Sequence, residues 1–92
     1  MPQIFKIGSF VIYFWSNENN PIEPIHVHVS EGKAVAHSTK IWITNTGKAL
    51  LCNNNSKISN KMLKNIMRHI EANSGLIIDK WCEQFGEIKY YC

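Results

Sequence analysis

Apolar and polar positions alternate in short runs through the first half of the chain. Residues 3–7, QIFKI, alternate; Gly8-Ser9 interrupts them, and FVIYFW at 10–15 is β-branched and aromatic throughout. Both runs have strand character. Residues 16–24, SNENNPIEP, gather turn formers into a loop, and the prolines bias Asn20 and Glu23 away from helix. IHVHVS and KAVAHS follow, with Glu31-Gly32 between them, and predict a hairpin. KIWIT is a further alternating strand, Asn45-Thr46-Gly47 a turn, and KALLC closes the sheet.

After NNNS at 53–56 the period changes. Leu63, Ile66, Met67 and Ile70 recur at helical spacing from Ser59, a suitable N-cap. Asn73-Ser74-Gly75 breaks that helix, with Ser74 available to cap the next. Leu76, Ile77, Ile78, Trp81 and Phe85 form a second apolar stripe, which Gly86 stops. EIKYYC at 87–92 reads either as a last strand or as a frayed end. The expected fold is α+β, an N-terminal antiparallel sheet of about four to five strands with two C-terminal helices on one face. The whole chain, 1–92, reads as one domain, with a β-rich part at 1–54 and a helical part at 57–86.

Composition adds limits. With 45% apolar residues and 11% aromatics the chain can build a packed core. The longest apolar run, Phe10 to Trp15, is too short to span a membrane, and the opening residues do not resemble a signal peptide. Three cysteines, an odd number without a C-x-x-C pair, fit a reducing cytoplasm and offer no zinc knuckle. A cytoplasmic protein is expected.

Charge is unevenly placed. The net charge is +3, yet residues 32–70 carry seven basic side chains and no acidic one, so the remainder of the chain is −4. Such asymmetry suits an acidic partner, nucleic acid or protein, and equally a lysine-rich solvated surface. Lys61, Lys64 and Arg68 fall within about 60° of one another on the first helix, with Lys57 aligned if the helix reaches back to it. Lys33 and Trp42 extend this candidate nucleic-acid or partner-binding set, Trp42 as a base-stacking ring or as simple sheet cover.

The candidate chemistry is His-x-His. On a strand, Ile25, Val27 and Val29 face one way, leaving His26 and His28 together on the other side, where solvent is expected to line them. A two-residue Glu31-Gly32 loop would set His37 opposite His26. Imidazoles so grouped suit acid–base work on a phosphodiester or, as a third reading, a divalent metal on His26, His28 and His37; they also suit plain surface packing. Glu18, in the preceding loop, is a candidate orienting carboxylate. No cofactor is expected otherwise. Phosphate-binding glycine loops, H-E-x-x-H and G-x-S-x-G are all missing, which removes the common nucleotide-binding and hydrolase readings.

Met1-Pro2-Gln3-Ile4, the aromatic strand Tyr13 to Trp15, Glu18, Pro24, His26-x-His28, and a late Trp81 near Phe85-Gly86 together resemble the DhiT-type toxin family. The likeness covers nearly the whole chain. Members commonly carry two adjacent prolines before the first histidine, whereas this chain has Pro21 and Pro24 with Ile25 inserted. The resemblance implies the toxin component of a type II toxin–antitoxin pair and a small cognate antitoxin as partner. It supplies no mechanism and is silent on His37. Expectations from the residues are thus a ribonuclease-like activity at His26 and His28, a binding module using the basic helix, or a metal site; a homo-oligomer is compatible with each.

Overall fold

A computed structural model describes residues 3–16 and 23–92. Five strands, β1 (Gln3–Ile7), β2 (Phe10–Tyr13), β3 (His26–Glu31), β4 (Thr39–Ile43) and β5 (Ala49–Asn53), form an antiparallel meander in sequence order. Two helices, α1 (Asn60–Ala72) and α2 (Ser74–Phe85), follow and cover one face. The α+β fold is the expected one.

Strand alternation builds the core. Ile12 opposes Val29 across β2–β3, and Val27 opposes Ile41 across β3–β4. These side chains are fully buried with Ile25 and Ile43 beneath Leu63, Ile66 and Ile70 of α1 and Ile77 and Trp81 of α2. Ser59 caps α1 as expected, its Oγ accepting from the Met62 N–H at 3.3 Å. Gly86 ends α2 in the left-handed region at φ 75°, where a side chain would be strained. Ser74 does not cap α2. One residue, Asn73, separates the helices, and α2 hydrogen bonding already begins with the Ile77 N–H on the Asn73 carbonyl, so Ser74 is helical.

The expected hairpin of residues 25–38 is overturned. β3 pairs with β4, His26 opposite Trp42 and Val29 opposite Thr39, and residues 32–38 form a loop between them. The physical reason lies in core filling. A Glu31-Gly32 turn would set Ala34 and Ala36 against Val29 and Val27, leaving too little side chain under the helices. The observed register supplies Ile41 and Ile43 instead. The loop finds its hydrogen bonds elsewhere: the Tyr13 hydroxyl donates to the Val35 carbonyl at 2.8 Å and accepts from the Val35 N–H at 3.1 Å, while Ser30 Oγ donates to the Lys33 carbonyl.

A polar seam joins sheet and helices. Asn54 closes a turn on Ile58 from both sides, Oδ1 accepting from its N–H at 3.0 Å and Nδ2 donating to its carbonyl at 2.8 Å. Oδ1 also accepts from the Thr39 hydroxyl at 2.7 Å, and Ser56 Oγ bridges the Thr39 N–H and the Val29 carbonyl. Asn54→Ala leaves several of these groups unsatisfied, and about 2–3 kcal/mol of stability should be lost in urea unfolding. An unchanged urea midpoint would mean that the seam does not hold α1 on the sheet.

The segment after Gly86 is neither strand nor frayed. The Ile25 N–H donates to the Lys89 carbonyl at 2.7 Å and the Asn45 N–H to the Cys92 carbonyl at 3.0 Å, so residues 88–92 lie along the end of the sheet.

Candidate functional site

The sheet face opposite the helices carries the histidines. Parity along β3 turns His26, His28 and Ser30 to this face, and the register adds Tyr13 opposite His28 on one side and Lys40 opposite it on the other. His26 and His28 are neighbours, their ring centroids 5.0 Å apart and the rings nearly perpendicular. The expectation that they share a face is met. Their environments differ sharply, however.

His26 is fully buried rather than solvent-lined. It sits where β3 enters the sheet, edge-on to Trp42 at 5.6 Å and to Trp81 of α2 at 5.4 Å. Its Nδ1 lies 2.8 Å from the Pro24 carbonyl. A carbonyl only accepts, so Nδ1 carries the proton in this contact. Such a ring organises the strand entrance; reaching a substrate from there would require the packing to open.

His28 is half-buried. Its ring stacks on Tyr13 at 5.6 Å with 25° between planes, and Nδ1 lies 3.3 Å from Ser38 Oγ. Trp15 approaches both rings, at 5.4 Å from Tyr13 and 6.5 Å from His28. Directly across from His28, Lys40 reaches Glu23 Oε1 at 3.1 Å and lies 4.5 Å above the Trp42 ring centroid. The helix-free face thus carries an imidazole in contact with the Ser38 hydroxyl and the Tyr13 ring, with Lys40 across the strand.

The remaining expected residues scatter. His37 is exposed in the 32–38 loop, and the position across from His26 belongs to Trp42, so the three-histidine metal set does not assemble. Among the described residues no group of three or more His, Cys, Asp or Glu side chains is placed to hold a metal ion. Glu18 lies outside the described residues. Lys61, Lys64 and Arg68 are exposed along a shallow depression of α1. Because the opposite side of that helix packs on the core, this stripe and His28 are on opposite faces of the molecule and cannot grip one phosphodiester together. Lys57 is not part of the helix, which starts at Asn60; it holds a left-handed turn at φ 55°. Lys33 is exposed in the loop after β3. Trp42 is already stacked in parallel with Tyr91, centroids 4.9 Å apart and planes 4° apart.

Tyr13, Ser38 and Lys40 escaped the sequence reading. Lys40 was recoverable from parity with Trp42 once β3 and β4 were paired. Tyr13 required the β2–β3 register, and Ser38 required the loop that replaced the expected hairpin.

Among the described residues no helix is long and apolar enough to cross a membrane. Neither the curated proteins nor the solved structures contain a match to this chain. A family model does match residues 9–82, a stretch running from the start of β2 through His26 and His28 to the last turn of α2. The chain therefore belongs to the family described as domain of unknown function DUF4160.

Proposed function

We propose that the protein is the toxin-type member of a two-protein pair and that it acts on RNA at the helix-free sheet face, with His28 as the acid–base group. The observation that carries this reading is the placement of His28, half-buried between Tyr13 and Lys40 with Ser38 on its Nδ1. A half-buried imidazole can donate and accept a proton through its ring nitrogens and so suits proton transfer. In the proposed step His28 takes the proton of a ribose 2′-hydroxyl as its oxygen bonds to the adjacent phosphorus. The 5′-oxygen then leaves and is protonated by the imidazolium or by water. Lys40, across the strand, offsets charge on the phosphoryl oxygens. His26 is a positioning residue in this scheme. The resemblance to DhiT-type toxins, from Met1-Pro2 through His26-x-His28 to Trp81, supports the same reading and adds a small protein partner.

The test compares wild type, His28→Ala and Lys40→Ala at matched expression, scoring growth arrest and cleavage of a mixed-sequence oligoribonucleotide. Cleavage by His28→Ala should fall by about a hundredfold or more, the usual contribution of a positioned acid or base, with growth arrest relieved. Lys40→Ala should weaken cleavage less. Equal growth arrest by wild type and His28→Ala would sink the reading.

A further inference from the structure

The outer side of β5 is an open sheet edge beneath a row of positive charge. Its polarity follows from the hairpin that precedes it. The Thr44 N–H donates to the Lys48 carbonyl at 2.9 Å, so this pair is hydrogen-bonded across the hairpin. Antiparallel pairs alternate, which makes Trp42–Leu50 hydrogen-bonded and turns the N–H and C=O of Ala49 and Leu51 away from β4. Glu71 of α1 reads out that direction, its Oε2 accepting from the Ala49 N–H at 2.9 Å. Nothing equivalent caps the Leu51 N–H and C=O among the described residues.

The strand is also unguarded. Residues 49–53, ALLCN, contain no charge and no proline, and Leu50 and Leu51 are 40% and 39% exposed. Edges are normally blunted by lysine, proline or a covering element because a bare one recruits another strand. Here the charges stand beside the edge instead of on it. Glu71 pins its side of α1 over β5, and Arg68 and Lys64 precede it by one and two turns on that side. Lys61 continues the row, while exposed Lys48 and Lys57 flank the two ends of the strand. The ion pair found among the described residues, Lys40–Glu23, lies on the other face, and none among them joins Lys61, Lys64 or Arg68 to a carboxylate.

We infer that β5 accepts an extended, acidic segment of a partner protein by strand addition, backbone to backbone at Leu51, with the segment's carboxylates meeting Lys61, Lys64 and Arg68. Strand addition draws affinity from main-chain hydrogen bonds and specificity from alternate side chains. Two other occupants fit less well. A second copy pairing its own β5 about Leu51 would set two basic α1 rows side by side, a like-charge arrangement that opposes association. A nucleic acid would satisfy the charges but offers no peptide ladder to Leu51. The inference names the chemistry of the partner and rests on none of the chemistry at His28, so His28→Ala should leave it intact.

The probe is a capped octapeptide of alternating glutamate and valine, titrated against the full chain at low salt. Backbone amide exchange should show new protection at Leu51. Leu51→Pro removes an outward N–H and no ladder bond, and the reversal of Lys61, Lys64 and Arg68 to glutamate changes exposed positions only. Each should weaken the peptide by about tenfold or more while melting stays cooperative. The matching lysine–valine octapeptide should not bind. The inference falls if Leu51 gains no protection under saturating peptide, or if Leu51→Pro binds as wild type does. It also falls if sedimentation finds a wild-type dimer that Leu51→Pro breaks, which assigns the edge to a second copy. Oligouridylate bound through the basic row, with the peptide ignored, would assign that row to nucleic acid.

Discussion

Trp81→Ala should cost about 3–5 kcal/mol, the largest stability loss expected from any single truncation in this chain. Trp81 heads the fully buried side chains by volume. Its ring meets Phe85 at 4.4 Å, Phe14 at 5.1 Å and His26 at 5.4 Å, so α2, the end of β2 and the start of β3 all lean on it. A domain of this size has a total stability on the order of 5–10 kcal/mol, which means that the variant should be largely unfolded near physiological temperature. Trp81→Phe separates volume from polarity. The indole Nε1 is buried and has no hydrogen-bond partner among the described residues, so its removal gives back some desolvation cost. The phenylalanine variant should therefore lose less than about 2 kcal/mol. Urea unfolding followed by far-ultraviolet circular dichroism measures both. An alanine variant within 1 kcal/mol of wild type, by the usual precision of such curves, would show that the α2–sheet junction is not a keystone.

Element types and their order were legible in the sequence because each rests on local periodicity. The switch from alternation in QIFKI and KIWIT to the i, i+3, i+4, i+7 pattern of Leu63, Ile66, Met67 and Ile70 marks the passage from sheet to helices. Ser59 and Gly86 were equally local, since a cap depends on its own side chain or on its own φ. Strand pairing was not local. Two competing partners for β3 stood in sequence, KAVAHS and TKIWI, and turn chemistry at Glu31-Gly32 favoured the nearer. Packing reversed that choice, because alanines cannot fill the space that Ile41 and Ile43 occupy beneath α1 and α2. The site followed the same division. Parity alone put His26 beside His28, whereas the burial of one and the accessibility of the other depend on Trp81, Trp42 and the 32–38 loop, which no strand pattern encodes. The basic stripe was likewise visible as a face, but its position over the β5 edge depends on the Glu71 contact with Ala49.

His26→Ala and His28→Ala should fail in opposite ways, and the contrast decides what the His-x-His pair is for. Removing the His26 ring opens a void among Trp42, Trp81 and His28 and leaves the Pro24 carbonyl without its Nδ1–H donor. A loss of about 3 kcal/mol is expected from the cavity and the orphaned carbonyl together. His28 is only partly buried, and its loss forfeits a stacked contact with Tyr13 worth about 1 kcal/mol. Activity should show the reverse order once expression is corrected for folding: His28→Ala inactive, His26 variants active in proportion to the folded fraction. His26→Phe sharpens the test, because it keeps the aromatic packing and gives up the ring's polar contacts, the hydrogen bond to Pro24 among them, at about 1–3 kcal/mol. If this variant folds and still arrests growth, His26 holds the strand entrance and does no proton transfer. If it folds and is inert while His28→Ala remains toxic, the chemistry belongs to the buried ring, and the substrate must enter by parting His26 from Trp42 and Trp81.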